Sequence, residues 1–300
     1  MSSKWASCER EWIQKTTLNN TGNIARPSVT QEYGIQLITE ILNGSKYLDN
    51  GVADEITSRM IRSGQPLKEA WDEFLLLIFS AAMSTSNDDS QKNLTKLVSV
   101  LAHHGETQPI GNVVENESDV AEVGTLLSSL AGFGWIARDY WNGPMSLLHR
   151  YGTPNASQRA WVNLNRFMAH LSCQDRRIPM EPLHGWVEDF GLWTIADGLE
   201  DPAGMEEHAE AAAAWLVIAG TYIYNDPIWG HRDGSTSLGV PLREGRLWRD
   251  SRAAGSIQGL RCNFWKYRLQ TLVDDEASDA SVRDLAKDAI QAMEKLESPP

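Results

Sequence analysis

Apolar residues recur at helical spacing through most of this chain. From Leu67, the positions Ala70, Trp71, Phe74, Leu75 and Ile78 return every three or four residues, and Leu94, Leu97, Val98 and Leu101 repeat the pattern. Both predict core-facing helices. Val120, Val123, Leu126, Leu127 and Leu130 form a third stripe, opened by Ser118 as N-cap with Asp119 and Glu122 in the positive first turn. Trp161, Leu164, Met168 and Leu171 form a fourth, where Asn155 and Gln158 have capping-box spacing after Pro154. A hairpin of two helices is predicted at the far end, from Phe264, Trp265, Arg268, Leu269 and Leu272 to Val282, Leu285, Ala289, Met293 and Leu296. Ser28 and Gln31 predict a capped helix to about Asn43, where Gly44 can end it.

Strand signals are nearly absent. Val113-Val114 and Leu238 to Leu242 are short apolar groups hemmed in by Gly, Pro and Asn. The expected fold is therefore all-α: a single irregular multi-helix bundle over residues 1–300, of roughly nine or ten helices with one long ordered loop. The loop is Asp226 to Ser256, which carries several Gly and Pro but also Trp229 and Trp248; a loop of that length is either functional or disordered, and the tryptophans favour order. His104 to Ser118, polar and with Gly105, Pro109 and Gly111, reads as a soft joint or as one surface loop.

Charge narrows the partners. With 27 Lys+Arg against 40 Asp+Glu, the net charge of −13 opposes nucleic acid and anionic membrane surfaces. The longest uncharged apolar stretch, Ala211 to Tyr224, is shorter than the roughly 20 residues of a spanning helix and reads as a buried one. Cys8, Cys173 and Cys262 are too few and too scattered for a disulfide framework, and the first residues lack the apolar core of a secretory signal, so the cytoplasm is expected. Every cation between Lys96 and Lys266 is an arginine, which suits buried bidentate ion pairs.

Three helices and a closing signature carry a resemblance. The segments Trp161-x-x-Leu164-x-x-Phe167-Met168-Ala169-x-Leu171, Leu192-Trp193-x-Ile195-Ala196-x-x-Leu199-Glu200 and Ala214-Trp215-x-x-x-Ala219-Gly220 are followed by Gly245-x-x-Trp248, Gly259-Leu260 and Phe264-Trp265-Lys266-x-Arg268. From about Trp71 to Leu272 this order resembles a fungal family of uncharacterised proteins, a domain of unknown function found in filamentous fungi and sometimes near secondary-metabolite genes. The family often has a Trp where this chain has Arg261-Cys262-Asn263. The resemblance implies a helical fold and a lineage, and it carries no catalytic residues.

Candidate chemistry is sparse. The 12 Trp outnumber 7 Tyr and 6 Phe, and most fall at core spacing, where packing accounts for them. Trp135, Tyr140 and Trp141 beside Arg138 and Asp139, together with Trp229 and Trp248, are candidates to shape an apolar small-molecule pocket, with loop anchoring as the plainer account. The segment from Tyr222 to Asp233 is densest in reactive groups. Within it His231 is the preferred base, Asp226 the second proton carrier, Tyr224 a pocket wall and Arg232 a grip for a polar handle, against the plainer reading of a helix end satisfied by local hydrogen bonds. Arg243 leads the series Arg246, Arg249 and Arg252, which on a helix would form a basic stripe or a solvated face.

No cofactor and no metal is expected. His170 and Cys173 share a helical face without a third ligand, and the Asp274-Asp275-Glu276-x-x-Asp279 run lacks the spacing of the diphosphate-binding helices of terpene cyclases. The leading expectation, resting mainly on the resemblance, is a cofactor-independent enzyme of isomerase, cyclase or lyase type acting on an apolar small molecule in fungal secondary metabolism. The alternative is a non-catalytic helical protein-binding or scaffold protein.

Overall fold

Leu67–Ser84 is apolar around most of its circumference, and burying that circumference organises the first half of the chain. A computed structural model describes residues 2–21, 26–107, 124–174, 181–225, 244–253 and 261–297. Among them no strand occurs and the class is all-α. The helix number corrects the sequence expectation: among the described residues there are fourteen, not nine or ten, counting a π-turn as the end of the helix it continues. The surplus comes from elements whose apolar stripes are short or broken by polar residues.

The helices are α1 (Ser2–Thr21), α2 (Val29–Leu42), α3 (Asn50–Arg62), α4 (Leu67–Ser84), α5 (Asp88–Thr107), α6 (Phe133–Tyr140), a 3₁₀ turn (Pro144–Leu147) and α7 (Leu148–Tyr151). Then come α8 (Pro154–Ser172), α9 (Glu181–Ile195) with its π-turn (Ala196–Glu200), α10 (Met205–Asn225), α11 (Arg246–Ala253), α12 (Arg261–Asp274) and α13 (Ala280–Glu297). Two compact units divide them: Met1–Asn142 with Ser146–Thr153 and Gln174–Pro182, and Gly143–Met145 with Pro154–Cys173 and Leu183–Pro300.

In the first unit α4 is the central helix, with Trp71, Phe74, Leu75, Ile78 and Phe79 fully buried. Helix α2 lays Ile35, Ile38 and Ile41 against it, and Gly34 permits the approach, because a Cβ there would stand 2.6 Å from Leu77 Cδ1. Each such aliphatic side chain contributes roughly 1.5–3 kcal/mol on burial. The capping box read from the sequence is formed: Ser28 Oγ accepts from the Gln31 amide at 3.1 Å, and Gln31 Oε1 accepts from the Ser28 amide at 2.9 Å. At the other end Gly44 has φ +68, the left-handed value that stops a helix.

The second unit packs α10 against α8 and α13, and α12 against α13, so the predicted C-terminal hairpin is present. Helix α10 is the Ala-rich segment. Its Ala211, Ala212, Ala214 and Trp215 are buried, and Gly191 of α9 sits so close that a Cβ would meet the Trp215 ring at 2.8 Å. Asn165 joins three helices: its Oδ1 accepts from Trp215 Nε1 at 2.8 Å and Thr194 Oγ1 at 2.9 Å, while its Nδ2 donates to the Trp161 carbonyl at 2.9 Å.

Two local expectations need correction. Helix α8 starts at Pro154, placing Asn155 inside the first turn, and the Gln158 amide donates to the Glu207 carbonyl at 2.9 Å instead of closing a capping box. Within the segment read as one long loop, Arg246–Ala253 is helical, and residues 226–243 and 254–256 lie outside the described residues. Of the joint at His104 to Ser118, residues 108–118 also lie outside them, as do Val120 and Val123 of the third stripe; residues 124–128 form a helical turn.

Candidate functional site

Four helix ends meet in the first unit around a cavity of about 260 Å³. The start of α1 supplies Ser2 and Trp5, the end of α2 Leu42 and Asn43, the end of α4 Ala81, Ser84 and Thr85, and the start of α5 Asn87 and Ser90. Helix ends leave backbone groups without intrahelical partners, and polar side chains collect there to satisfy them. Ser90 Oγ donates to the Leu42 carbonyl at 2.9 Å, and Asn87 Oδ1 accepts from the Ser90 amide at 2.8 Å as the cap of α5. Ser2 Oγ donates to Asn43 Oδ1 at 2.5 Å.

Beside this cavity lies a buried polar network. Trp5 Nε1 donates to Ser80 Oγ at 3.2 Å; Ser80 Oγ donates to the Glu9 carboxylate; and Arg150 of α7 donates both to that carboxylate and to Ser80 Oγ, the latter at 2.5 Å. The Arg150 guanidinium also lies 5.0 Å over the Trp12 ring. Burial pushes the phenols of Tyr140 and Tyr151 up, with the Arg150 charge opposing in both cases. The network therefore carries one negative and one positive charge, already paired, and it fixes the Trp5 indole by its only donor.

The second unit has its own buried centre. Glu200, on the π-turn and fully buried, accepts from Arg261 Nε at 2.5 Å and Nη2 at 2.8 Å, Trp265 Nε1 at 2.6 Å and the Gly245 amide at 2.8 Å. Gly245 is required by close approach, since a Cβ there would lie 2.6 Å from the Glu200 carbonyl group. Arg268 donates to the Leu199 carbonyl at 3.2 Å, and burial holds its pKa below the ordinary guanidinium value. A π-turn widens the helix by one residue and is frequent at functional positions. Here four donors saturate the carboxylate, so its work is to join α9, α11 and α12.

The described residues singled out from sequence fall in both units. Trp135 is 64% exposed with Arg138 5.7 Å over its ring, Tyr140 packs 5.9 Å from Phe79, and Trp141 caps α6; all three belong to the first unit. Trp248 belongs to the second, buried 5.5 Å from Phe264 with its N–H on Glu244 at 3.3 Å. Tyr224 lies in the last turn of α10, its side chain outside the described residues, as are Asp226, Trp229, His231, Arg232 and Arg243 entirely. On α11 Arg246 and Arg249 are exposed and Arg246 pairs with Asp250 at 3.6 Å, a solvated face. The Cys173 thiol is pushed up to about 11 by burial and donates to the Ile218 carbonyl at 3.4 Å. Asp275 caps a turn through Ala277 and Ser278, which holds its carboxyl below the usual range. Sequence reasoning did not single out Glu9, Ser80, Arg150 or the cavity. Only the arginine pattern pointed that way.

A family described as a protein of unknown function, DUF3632, matches residues 76–269. The chain belongs to this family. The matched span agrees with the stretch from Trp71 to Leu272 on which the resemblance rested, and the closing signature now has a physical meaning: Gly245 and Trp265 both donate to the carboxylate of Glu200, all three inside the DUF3632 region. Arg261, in the stretch before Phe264, holds Glu200 with two donors. Ala81, Ser84, Thr85, Asn87 and Ser90 of the cavity also fall inside the matched span. No curated protein and no solved structure matches the chain. Among the described residues, no helix is long and apolar enough to cross a membrane, and no three His, Cys, Asp or Glu side chains are grouped to hold a metal.

Proposed function

We propose that this protein binds a small organic molecule in the cavity between the ends of α1, α2, α4 and α5. One observation carries the reading: about 260 Å³ of space remains where the chain ends of four helices meet, lined by an indole and by hydrogen-bonding side chains. Binding sites are concave places with a few convergent polar groups. The catalytic form of this reading is the cofactor-free isomerase, cyclase or lyase of fungal secondary metabolism, working in the cytoplasm. It rests on the resemblance and on His231 and Asp226. The cavity's described lining contains no side chain that titrates near neutrality, which favours binding over turnover at that place. The net charge of −13 favours a small ligand over nucleic acid.

The test uses the full chain. Purified protein is melted in the presence of an extract of fungal metabolites, and whatever it retains is identified by mass spectrometry. Ser84 is exposed at the end of α4, so Ser84→Phe fills the cavity mouth without entering the core. A raised melting temperature and a retained compound, both lost in Ser84→Phe, are expected. A shift that persists in Ser84→Phe places the ligand elsewhere and overturns the reading, as does no shift at all.

A further inference from the structure

The hydrogen-bonding capacity of the cavity wall points to the class of ligand, and this inference rests on the cavity being the binding site. Six of the nine lining residues carry polar side chains, Ser2, Asn43, Ser84, Thr85, Asn87 and Ser90, and none of the nine is ionisable. A charged ligand would lose its hydration with no counter-charge from the described lining, and the neighbouring Glu9 and Arg150 already neutralise each other. A purely apolar ligand would strip water from the donors and acceptors of this wall that the protein does not itself satisfy, and leave them unpaired. The ligand is therefore neutral and polar.

What the wall leaves uncommitted narrows it again. Asn43 and Asn87 each spend the side-chain oxygen on the protein, the first accepting from Ser2 and the second from the Ser90 amide, so each retains its two Nδ2 donors. Ser2 and Ser90 each spend their proton, on Asn43 and on the Leu42 carbonyl, so each retains acceptor lone pairs. A partner for this set must accept from amides and donate to hydroxyls in the same small space. A hydroxyl group does both at one atom, which a ketone, ether or ester cannot. Trp5 gives its N–H to Ser80, so toward a ligand it offers only carbon, a surface suited to the C–H face of a ring. The volume is just under the roughly 300–1,000 Å³ of drug-sized sites and suits a single ring.

The geometry points to a neutral, polyhydroxylated single-ring ligand, a monosaccharide or cyclitol, held by the Asn43 and Asn87 amides with its C–H face on Trp5. The probes are D-glucose, D-galactose, D-mannose and myo-inositol as neutral polyols, glucose 6-phosphate as a charged comparator and cyclohexanol as an apolar one. Saturation-transfer NMR on the full chain reports binding, and tryptophan fluorescence reports saturation. At least one neutral polyol is expected to bind saturably and at least tenfold more tightly than glucose 6-phosphate or cyclohexanol. That binding should weaken at least tenfold in Asn43→Ala and vanish in Ser84→Phe, with both variants melting within a few degrees of the parent. Should Asn43→Ala fail to fold, Ser84→Phe alone decides. Tighter binding of cyclohexanol or the phosphate that Ser84→Phe abolishes overturns the ligand class while leaving the site. Binding by none of the probes in a protein that does retain a Ser84→Phe-sensitive compound also overturns the class, and probe binding that Ser84→Phe leaves intact overturns the site itself.

Discussion

Glu200 shows how much a single side chain can hold. Its carboxylate is fully buried and its donors come from positions 245, 261 and 265, so removing it strands the Arg261 guanidinium and the Trp265 N–H together. Breaking a buried pair from one side costs about 3–5 kcal/mol, and Glu200→Ala should lower unfolding stability by that order in a urea titration. The pair replaced whole, Glu200→Leu with Arg261→Met, should recover much of the loss. A single variant as stable as the parent would show that the hub is dispensable. His104 gives a pH prediction of definite sign. It is fully buried, and burial lowers its ionisation below the ordinary 6.5, with the Asp54 charge 3.3 Å away opposing that and His103 reinforcing it. The unfolded chain therefore binds a proton near pH 6.5 that the folded chain refuses. Stability should fall as pH drops below about 6.5 toward the depressed folded value, and His104→Gln should flatten that part of the melting-temperature profile. An unchanged slope would remove His104 as its cause.

At the scale of elements, the caps and close approaches decide where helices begin and how near they come. Ser28→Ala deletes both the cap acceptor and the bond from Ser28 Oγ to Glu73 at 2.6 Å. It should cost roughly 1 kcal/mol, read by thermal melting. Gly191→Ala forces the α9 backbone away from the Trp215 ring, and overpacking of this kind costs about 1–3 kcal/mol. The readout that separates displacement from loss of helix is the near-ultraviolet circular dichroism of the tryptophans, which should change while the far-ultraviolet signal does not. The same elements show why the helix number was underestimated. In α3 the buried face is Val52, Ala53, Ile56, Thr57 and Met60, with one Thr and one Ala diluting the stripe, and in α1 the buried residues include Ser2 and Glu9. Polar residues on an inward face erase the periodicity that marks a helix.

For the whole molecule, each unit has its own centre: α4 with the Glu9, Ser80 and Arg150 network in one, Glu200 and Asn165 in the other. Hydrogen exchange on Glu200→Ala should therefore speed most in α8, α9, α10 and α12, while α2, α4 and α5 keep their protection. If protection falls equally everywhere, the chain behaves as the one cooperative domain that the sequence suggests.

The sequence by itself determined the helical class, the main core stripes, the Ser28 capping box, the stop at Gly44 and the use of arginine in buried pairs, because each depends on residues within a few positions of one another. The family signature was legible for the same reason, as a string. Its meaning was not. Trp5 and Ser80 are 75 positions apart, Ser2 and Asn43 are 41, and Glu200 and Trp265 are 65. No local pattern announces that such residues will share a hydrogen bond, since any hydroxyl or carboxylate at a helix end looks alike until packing chooses its neighbours. The tertiary structure alone decided that four helix ends would leave an uncharged space between them, and that is where its candidate chemistry lies.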